Sequence, residues 1–471
     1  MSMKRPVGGE QPCIRLGMFQ LRLPFIHVTP TLPEAIQAVC YSVLCYGSIA
    51  TIVATTGASE EAAFAAAWFA VALYSLNYFA GEPSVGGWIT PSIPMTLIYI
   101  SSVPQDQRIQ ALCALQLVVA GIFFFMGITG LAKKIVVIVP PAIKAGIILG
   151  AALAAIYGEF VNGGRYHQMP VTCTVALAIG VFLLYSPIFK KWVDGGNKLA
   201  NFLFKLGVVP ALILAMAMAV ITKEADVRIS LLPVFQFPDL ARMFRELSPF
   251  SVGFPQFSHY LSALPTACAI YIIAFSDLLV INGLVKDVRL VRKDEWFATN
   301  ANRVNILAAL RNLIQALLCP FAPMSGPLAA SNTITLLSRY KASTPKTFYS
   351  IHGGNASATL VLPFAMLLSP IVGLCRPCAS AITCICLVIQ GFSCTEVGMS
   401  TCRDKVDYII AGAIAACMMA QGAAFGLAIG VICYLFFAEQ IKKKDDYAFN
   451  KAEIAAEDNF AQQEDTPKAA V

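Results

Sequence analysis

The sequence predicts an all-α polytopic membrane protein with about fourteen transmembrane segments, arranged as two inverted halves of seven. Three observations support this prediction. The chain is 57% hydrophobic and only 13% charged, apolar stretches long enough to cross a bilayer recur along it, and two segments are broken by proline and glycine at corresponding places. An average soluble domain carries about twice as many charged residues. The composition therefore excludes an ordinary soluble enzyme, a disordered scaffold and a small secreted domain built on disulfides.

Apolar stretches of about 20 residues, the length that a helix needs to cross the hydrocarbon of a bilayer, define the predicted spans. Most are continuous, and the last two form a tight pair. Two others, at 84–103 and 320–337, are apolar but interrupted. The continuous stretches are 33–56, 62–80, 108–130, 135–157, 170–188, 206–222, 260–285, 304–319, 347–368, 371–391 and the pair within 406–438.

The basic residues predict an orientation. If the N-terminus is inside and the spans alternate, most of the 34 lysine and arginine residues fall in inner loops or tails, as the positive-inside rule requires. The net charge of +7 is thus a topology signal. We expect a multi-pass protein of the plasma (inner) membrane with both termini in the cytoplasm. The predicted units are a cytosolic N-terminal tail (1–32), a first seven-span repeat (33–222), an extracytoplasmic loop (223–259), a second seven-span repeat (260–438) and a cytosolic C-terminal tail (439–471).

The two broken segments are the most informative feature of the sequence. Each has an extended stretch rich in proline and glycine, at 81–94 and at 320–333, followed by a short helix that starts near a proline. Each is the third span of its half, which is the sequence pattern of a midplane binding site in an inverted-repeat transporter. If the two short helices meet end to end, their N-termini favour an anion or an acceptor-rich solute. The alternative is two kinked helices whose prolines are merely structural.

The second broken segment carries a family resemblance. The stretch 323–331 is similar to the stretch Pro-x-Thr-Gly-x-Ile-Ala-Arg-Thr of the SulP (SLC26-type) anion transporters, with Ala330 at the arginine of that family. Those transporters usually carry a C-terminal STAS domain of over a hundred residues, and we expect none here. Without that arginine, anion binding is expected to depend on the helix ends.

Other positions resemble the uracil/xanthine permeases (NCS2). Asn332 and Arg339 match two positions of the nucleobase-permease signature, although Ile334 replaces its glycine. The stretch 139–146 looks like the double-proline start of span five in that branch, and 275–277 looks like its Phe-Glu-Asp in span eight, with serine at the glutamate. The chain therefore resembles a divergent member of the superfamily that contains both branches.

This resemblance implies a UraA/SLC26-like fold, a seven-plus-seven inverted repeat with half-helices in segments 3 and 10. It implies a core domain of spans 1–4 and 8–11 and a gate domain of spans 5–7 and 12–14. It also implies an elevator-like movement of the core against the gate, and a homodimer formed through the gate domain.

Asp277 is the strongest single candidate for a functional residue. It lies deep in the apolar span eight, where a charged carboxylate costs roughly 3 kcal/mol on insertion scales and is by default a functional hypothesis. It could bind H⁺ or Na⁺ as the ion-coupling residue, or hydrogen-bond the substrate. The alternative is an acid that caps a neighbouring backbone break.

Small polar, aromatic and glycine residues complete the candidate substrate site. Small polar residues also join membrane helices to one another, so that packing is the alternative for each of them. The predicted substrate-binding residues, besides Asp277, are Tyr41, Thr90, Ser92, Ser276, Gly326, Ser331 and Asn332.

Several other residues favour structural roles. Glu34, in the first turn of span one, favours the helix N-terminus. Arg311 in span nine is expected to reach an interface or to pair with polar backbone. The Cys375 and Cys378 pair has a spacing that superficially suits a metal, but it lies in an apolar span without histidine, so no metal site is predicted. The role of the cysteine cluster at 375–402 stays open.

These observations predict a secondary active transporter rather than an enzyme, since no nucleotide-binding loop, catalytic triad or zinc-protease motif occurs in the sequence. The expected solute is small and anionic, either an organic carboxylate or an inorganic anion, moved by permease-type symport with H⁺ or Na⁺. The expected partners are this solute and the lipid bilayer, with no cofactor and no nucleic acid. A nucleobase symporter of the uracil or xanthine type is the first alternative. An anion channel or a sensor that does not transport is the second.

Overall fold

Helices form most of the chain, as the apolar pattern predicts. The computed structural model describes residues 3–17, 19–89, 92–131, 140–205, 208–227, 233–320, 323–421 and 423–436. For some of these residues only the backbone, and not the side chain, is described: 205, 275–284, 286–287, 330–331, 342, 390, 393, 397, 423–424, 427 and 434.

A small β-hairpin precedes the first half, whose helices follow in the order of the predicted spans. Prolines in the first turn start several helices, because proline is already shaped for that position and lacks only an N–H that has no partner there. Ser59 caps another by accepting a hydrogen bond from the Ala62 N–H at 3.3 Å. The elements are β1 (Ile14–Leu16), β2 (Phe19–Leu21), α1 (Leu32–Thr56), α2 (Glu60–Ala72), α3 (Ser75–Phe79), β3 (Gly87–Trp88), α4 (Ser92–Ser101), α5 (Arg108–Thr129), α6 (Pro141–Phe160), α7 (Pro170–Tyr185), α8 (Pro187–Asp194), α9 (Lys198–Lys205) and α10 (Val209–Ile221).

The second half follows two short helices in the predicted extracytoplasmic loop. Its first long helix runs without a break from Phe257 to Val291 and contains Pro265. The elements are α11 (Leu240–Leu247), α12 (Pro249–Val252), α13 (Phe257–Val291), α14 (Ala301–Leu318), β4 (Ser325–Gly326), α15 (Ala330–Ala342), α16 (Ile351–Ala365), α17 (Ser369–Cys375), α18 (Ala379–Thr401), α19 (Lys405–Gln421) and α20 (Ala423–Phe436).

The two halves interlock through equivalent helix pairs. In the first half the helix of span one, α1, packs on α16, the helix of span four in the second half. Conversely, α13 at span one of the second half packs on α5 at span four of the first. The fifth spans of the two halves, α6 and α18, pack on each other. This exchange of partners is what an inverted repeat requires.

Two large apolar clusters hold these helices together. The first surrounds the broken segments, since it contains Val85, Ile89, Met324 and Leu328 together with residues of α5, α13 and α14. The second joins α1 and α2 to α7, α10, α16 and α18. Each of these two clusters draws on both halves, so the halves share the two largest apolar clusters of the described residues.

Helix length and hydropathy identify only part of the predicted spans. In the described part of the chain, 6 helical segments are long and apolar enough to cross a membrane, or up to 8 if two bent helix pairs each count as one span. The helix α4 is apolar but only 10 residues long, as a half-helix should be. The number of fourteen spans is consistent with this fold and stays a prediction.

The N-terminal segment 3–31 is folded onto the second half. The backbone N–H of Thr31 donates to Ser357 Oγ at 2.7 Å, and Arg22 is fully buried. Arg5 donates to the Tyr349 carbonyl at 2.7 Å and forms an ion pair with Asp294 at 2.8 Å. The segment predicted as a tail thus has defined contacts, while the predicted unit boundaries stay predictions.

Candidate functional site

The two broken segments cross one another in the interior. Strands β3 and β4 pair antiparallel, with Gly87 opposite Gly326. The pairing continues on both sides, where Ile89 N–H donates to the Met324 carbonyl and Ala329 N–H to the Val85 carbonyl, both at 2.8 Å. Each strand then leads within a few residues into a short helix, α4 or α15. The N-termini of both half-helices therefore start near the crossing, as the sequence predicts.

Glycine is required where the two strands pair. A Cβ on Gly326 would lie 2.7 Å from Cγ1 of Ile89, and a Cβ on Gly87 would overlap Ala329. Real side chains do not approach so closely. Gly326, predicted as a substrate-binding residue, thus has a packing reason to be glycine, and substrate contact there stays a prediction.

Ser92 joins the start of α4 to the opposite segment. Its side chain is fully buried, its hydroxyl donates to the Ile89 carbonyl at 2.6 Å, and it accepts from the Met324 N–H at 3.2 Å. The hydroxyl predicted to meet substrate is therefore engaged by protein groups of both broken segments.

Arg311 bridges the two strands from α14. One terminal nitrogen donates to the Gly326 carbonyl at 3.0 Å, and the other donates to the Gly87 carbonyl at 2.8 Å. The first also lies 3.4 Å from Oδ1 of Asn77. The expectation that Arg311 pairs with polar backbone is therefore confirmed, and the backbone is that of the crossing itself.

An amide network on the same helix fixes β4. The side chain of Asn312 donates to the Ser325 carbonyl at 2.7 Å and accepts from the Ser325 N–H at 2.9 Å. The Ser325 hydroxyl donates to Gln315 Oε1 at 2.6 Å, and Gln116 Nε2 on α5 donates to Gln315 at 3.2 Å. Sequence reasoning missed this network. The signal was polar residues at 311, 312 and 315, close together on one face of a helix in an apolar setting.

Further side chains satisfy the extended backbone of both broken segments. Asn77 Nδ2 donates to the Pro327 carbonyl at 2.7 Å, and Thr333 Oγ1 accepts from the Val85 N–H at 3.2 Å. Asn355 Nδ2 donates to the Glu82 carbonyl at 2.8 Å. Irregular backbone at membrane depth is tolerated only when protein or a polar cavity satisfies it, and these contacts supply the protein part.

A buried ion pair marks the start of the first broken segment. Nε of Arg303 lies 2.5 Å from Oε1 of Glu82, whose side chain is fully buried. A second ion pair joins Arg339, at the end of α15, to buried Glu34 at 2.6 Å. Glu34 lies in the first turn of α1 as predicted, and it also accepts a hydrogen bond from Thr31 Oγ1.

The other predicted residues lie on helices around the crossing. Tyr41 on α1 is partly buried. Asn332 in the first turn of α15 is also partly buried. Ser276 and Asp277 lie on α13 and Ser331 on α15, but their side chains, like the whole of Thr90, lie outside the described residues. Their roles stay predictions.

Three solved structures show the same fold. The transmembrane domain of a cyanobacterial bicarbonate transporter, BicA, has a TM-score of 0.50 and 13% identity, over 87% of this chain and 99% of that one. Murine Slc26a9, an anion transporter in the inward-facing state, has a TM-score of 0.55 and 12% identity, over 87% of this chain and 68% of that one. A further structure of SLC26A9 has a TM-score of 0.50 and 12% identity, over 86% of this chain and 65% of that one.

The chain is therefore a multi-pass membrane protein with the fold of the SLC26-type transporter membrane domain. It spans about two thirds of the length of the Slc26a9 chains. No protein-family model matches the sequence, and neither does any curated protein. The structural neighbours are transporters rather than enzymes, and the expected UraA/SLC26-like fold is confirmed.

Proposed function

We propose that this protein is a secondary active transporter that moves a small anionic solute across the membrane. The single observation that carries the proposal is the antiparallel crossing of β3 and β4, whose two strands lead within a few residues into α4 and α15. The first N–H groups of a helix have no partner within the helix, and its N-terminus carries a partial positive charge. Two such ends close together suit an anion.

The fold supports the class of solute. The neighbours are a bicarbonate transporter and an anion transporter, so inorganic anions and small carboxylates are the first candidates. Bicarbonate, sulfate, a monocarboxylate or a dicarboxylate would fit between the two helix ends. The site proposed for this solute includes Asn332 and Tyr41 beside the half-helix starts.

We further propose a mechanism of transport, a coupling ion and an oligomeric state. The core carries the solute past the gate in an elevator-like movement, and an H⁺ or Na⁺ ion bound at Asp277 balances its charge. The protein acts as a homodimer through the gate domain, in the plasma (inner) membrane, with both termini cytoplasmic.

Thermal stabilisation of the purified protein tests the solute class. A ligand that binds only the folded state raises the melting temperature as its concentration exceeds Kd. We expect bicarbonate, sulfate or acetate to stabilise the protein, and uracil and xanthine to leave it unchanged. Stabilisation by uracil or xanthine alone would instead support the nucleobase symporter, which the matches at Asn332 and Arg339 favour.

A further inference from the structure

Arg311 differs from every other buried arginine among the described residues. Those residues contain five buried arginines: 5, 22, 292, 303 and 311. Four of them form ion pairs with carboxylates at 2.5 to 2.9 Å. Within the described side chains no carboxylate forms an ion pair with Arg311.

Among the described residues, the partners of the Arg311 guanidinium are all neutral. Its terminal nitrogens bond the Gly87 and Gly326 carbonyls and face Asn77 Oδ1, and the Tyr74 ring centre lies 5.0 Å from Cζ. Its Nε has no hydrogen-bond partner within the described residues. A guanidinium keeps its proton in proteins, so among the described side chains no carboxylate pairs with this positive charge at the crossing.

The position of this charge ties it to the proposed site. The two carbonyl groups that it bonds belong to Gly87 and Gly326, which face each other across the strand pair. Each of these glycines lies only a few residues before a half-helix. A charge enclosed by low-dielectric protein acts over a longer distance than one in water. The charge therefore adds to the positive potential of both helix ends. Carrying an isolated charge in the interior is costly, and an anion in the site offsets that cost.

We propose that Arg311 is the residue that makes this site select for negative solutes. This inference rests on the proposed function and deepens it, since it assigns the selectivity to one side chain outside both broken segments. Arg311 also holds the two strands together. Its charge, rather than its hydrogen bonds, sets the preference for anions.

Charge-dependent binding separates these two roles. Acetate, bicarbonate and sulfate are titrated into wild type and Arg311→Gln, with thermal stabilisation as the readout. Arg311→Gln should weaken the binding of acetate and bicarbonate roughly tenfold and the binding of sulfate, which carries two charges, roughly a hundredfold. These factors correspond to the attraction of a unit charge at about 12 Å with an effective dielectric constant near 20. Arg376→Gln is the matched control, because Arg376 pairs with Glu60 and Glu61 at a partly exposed position. It should leave the sulfate-to-acetate affinity ratio unchanged.

A second variant neutralises the charge without removing the guanidinium. Asn77→Asp places a carboxylate where Asn77 Oδ1 lies, 3.4 Å from the Arg311 nitrogen. It should lower the sulfate-to-acetate ratio about tenfold, as Arg311→Gln does, and it decides the question if Arg311→Gln does not fold. If both variants weaken the binding of all three anions by the same factor, the inference about Arg311 is wrong, while the proposed function as an anion transporter still stands. A wild type that binds uracil but none of the anions would overturn the proposed function as well.

Discussion

Gly87 and Gly326 face each other in the strand pair that joins the two broken segments. The strand pair has no room for a Cβ at either residue. Because overpacking a well-packed interior costs about 1–3 kcal/mol, we predict that Gly326→Ala lowers the melting temperature and abolishes most uptake. Gly121→Ala is the control, since a Cβ at Gly121 meets nothing within 4 Å. Normal uptake by Gly326→Ala would show that the strands need not approach so closely.

Asp277 is the residue on which the proposed ion coupling depends. Its helix, α13, runs without a break through this position, so α13 itself contains no break for the carboxylate to cap. We predict that Asp277→Asn removes the stimulation of uptake by an inward H⁺ or Na⁺ gradient, because an amide takes up no proton in this pH range and lacks the negative charge that attracts Na⁺. Asp106→Asn, at an exposed position, should keep the stimulation. Uptake by Asp277→Asn with an unchanged pH and Na⁺ dependence rules out the coupling role.

At the scale of elements, the N-terminal segment 3–31 acts as a structural part of the membrane domain. Arg5 is 2% exposed in its side chain, pairs with Asp294 at 2.8 Å, and lies 3.8 Å from buried Glu295. Removing one partner of a buried ion pair typically costs about 3–5 kcal/mol. We therefore predict that Arg5→Gln lowers the melting temperature by several degrees.

A matched exposed arginine lies in the same segment. Arg15 is 74% exposed in its side chain and pairs with Glu10 at 3.4 Å, and surface pairs of this kind contribute at most about 1 kcal/mol. Arg15→Gln should leave the melting temperature almost unchanged. Equal melting temperatures for Arg5→Gln and wild type would mean that the Arg5 contacts of the segment 3–31 do not stabilise the membrane domain.

The elements that could be predicted from sequence are those with a local signal. Proline and glycine in 81–94 and 320–333 predicted both broken segments, because these residues restrict the backbone wherever they occur. The contact of Arg311 with Gly87 could not be predicted in this way. These residues are 224 positions apart, and no short-range pattern states which carbonyl a buried guanidinium meets. The same holds for Asn312 and Ser325, whose pairing depends on how α14 packs against the crossing.

For the whole molecule, the interlocking of the halves explains why the crossing is well defined. The start of each half-helix binds the backbone of the other half through one of its own side chains: Ser92 Oγ accepts from the Met324 N–H, and Thr333 Oγ1 accepts from the Val85 N–H. The packing of α1 on α16 and of α13 on α5 repeats this exchange at the level of helices. In the proposed mechanism, a movement of the core past the gate exposes this site, built from both halves, to either side of the membrane.

Uptake into proteoliposomes tests the central claim most directly. Purified protein is reconstituted, and entry of labelled bicarbonate and sulfate is measured against empty liposomes, with unlabelled anions and uracil as competitors. The account predicts saturable uptake of at least one anion, inhibition by other small anions, and no effect of uracil. Uptake of uracil alone, or anion currents far above carrier rates that do not saturate, would contradict it.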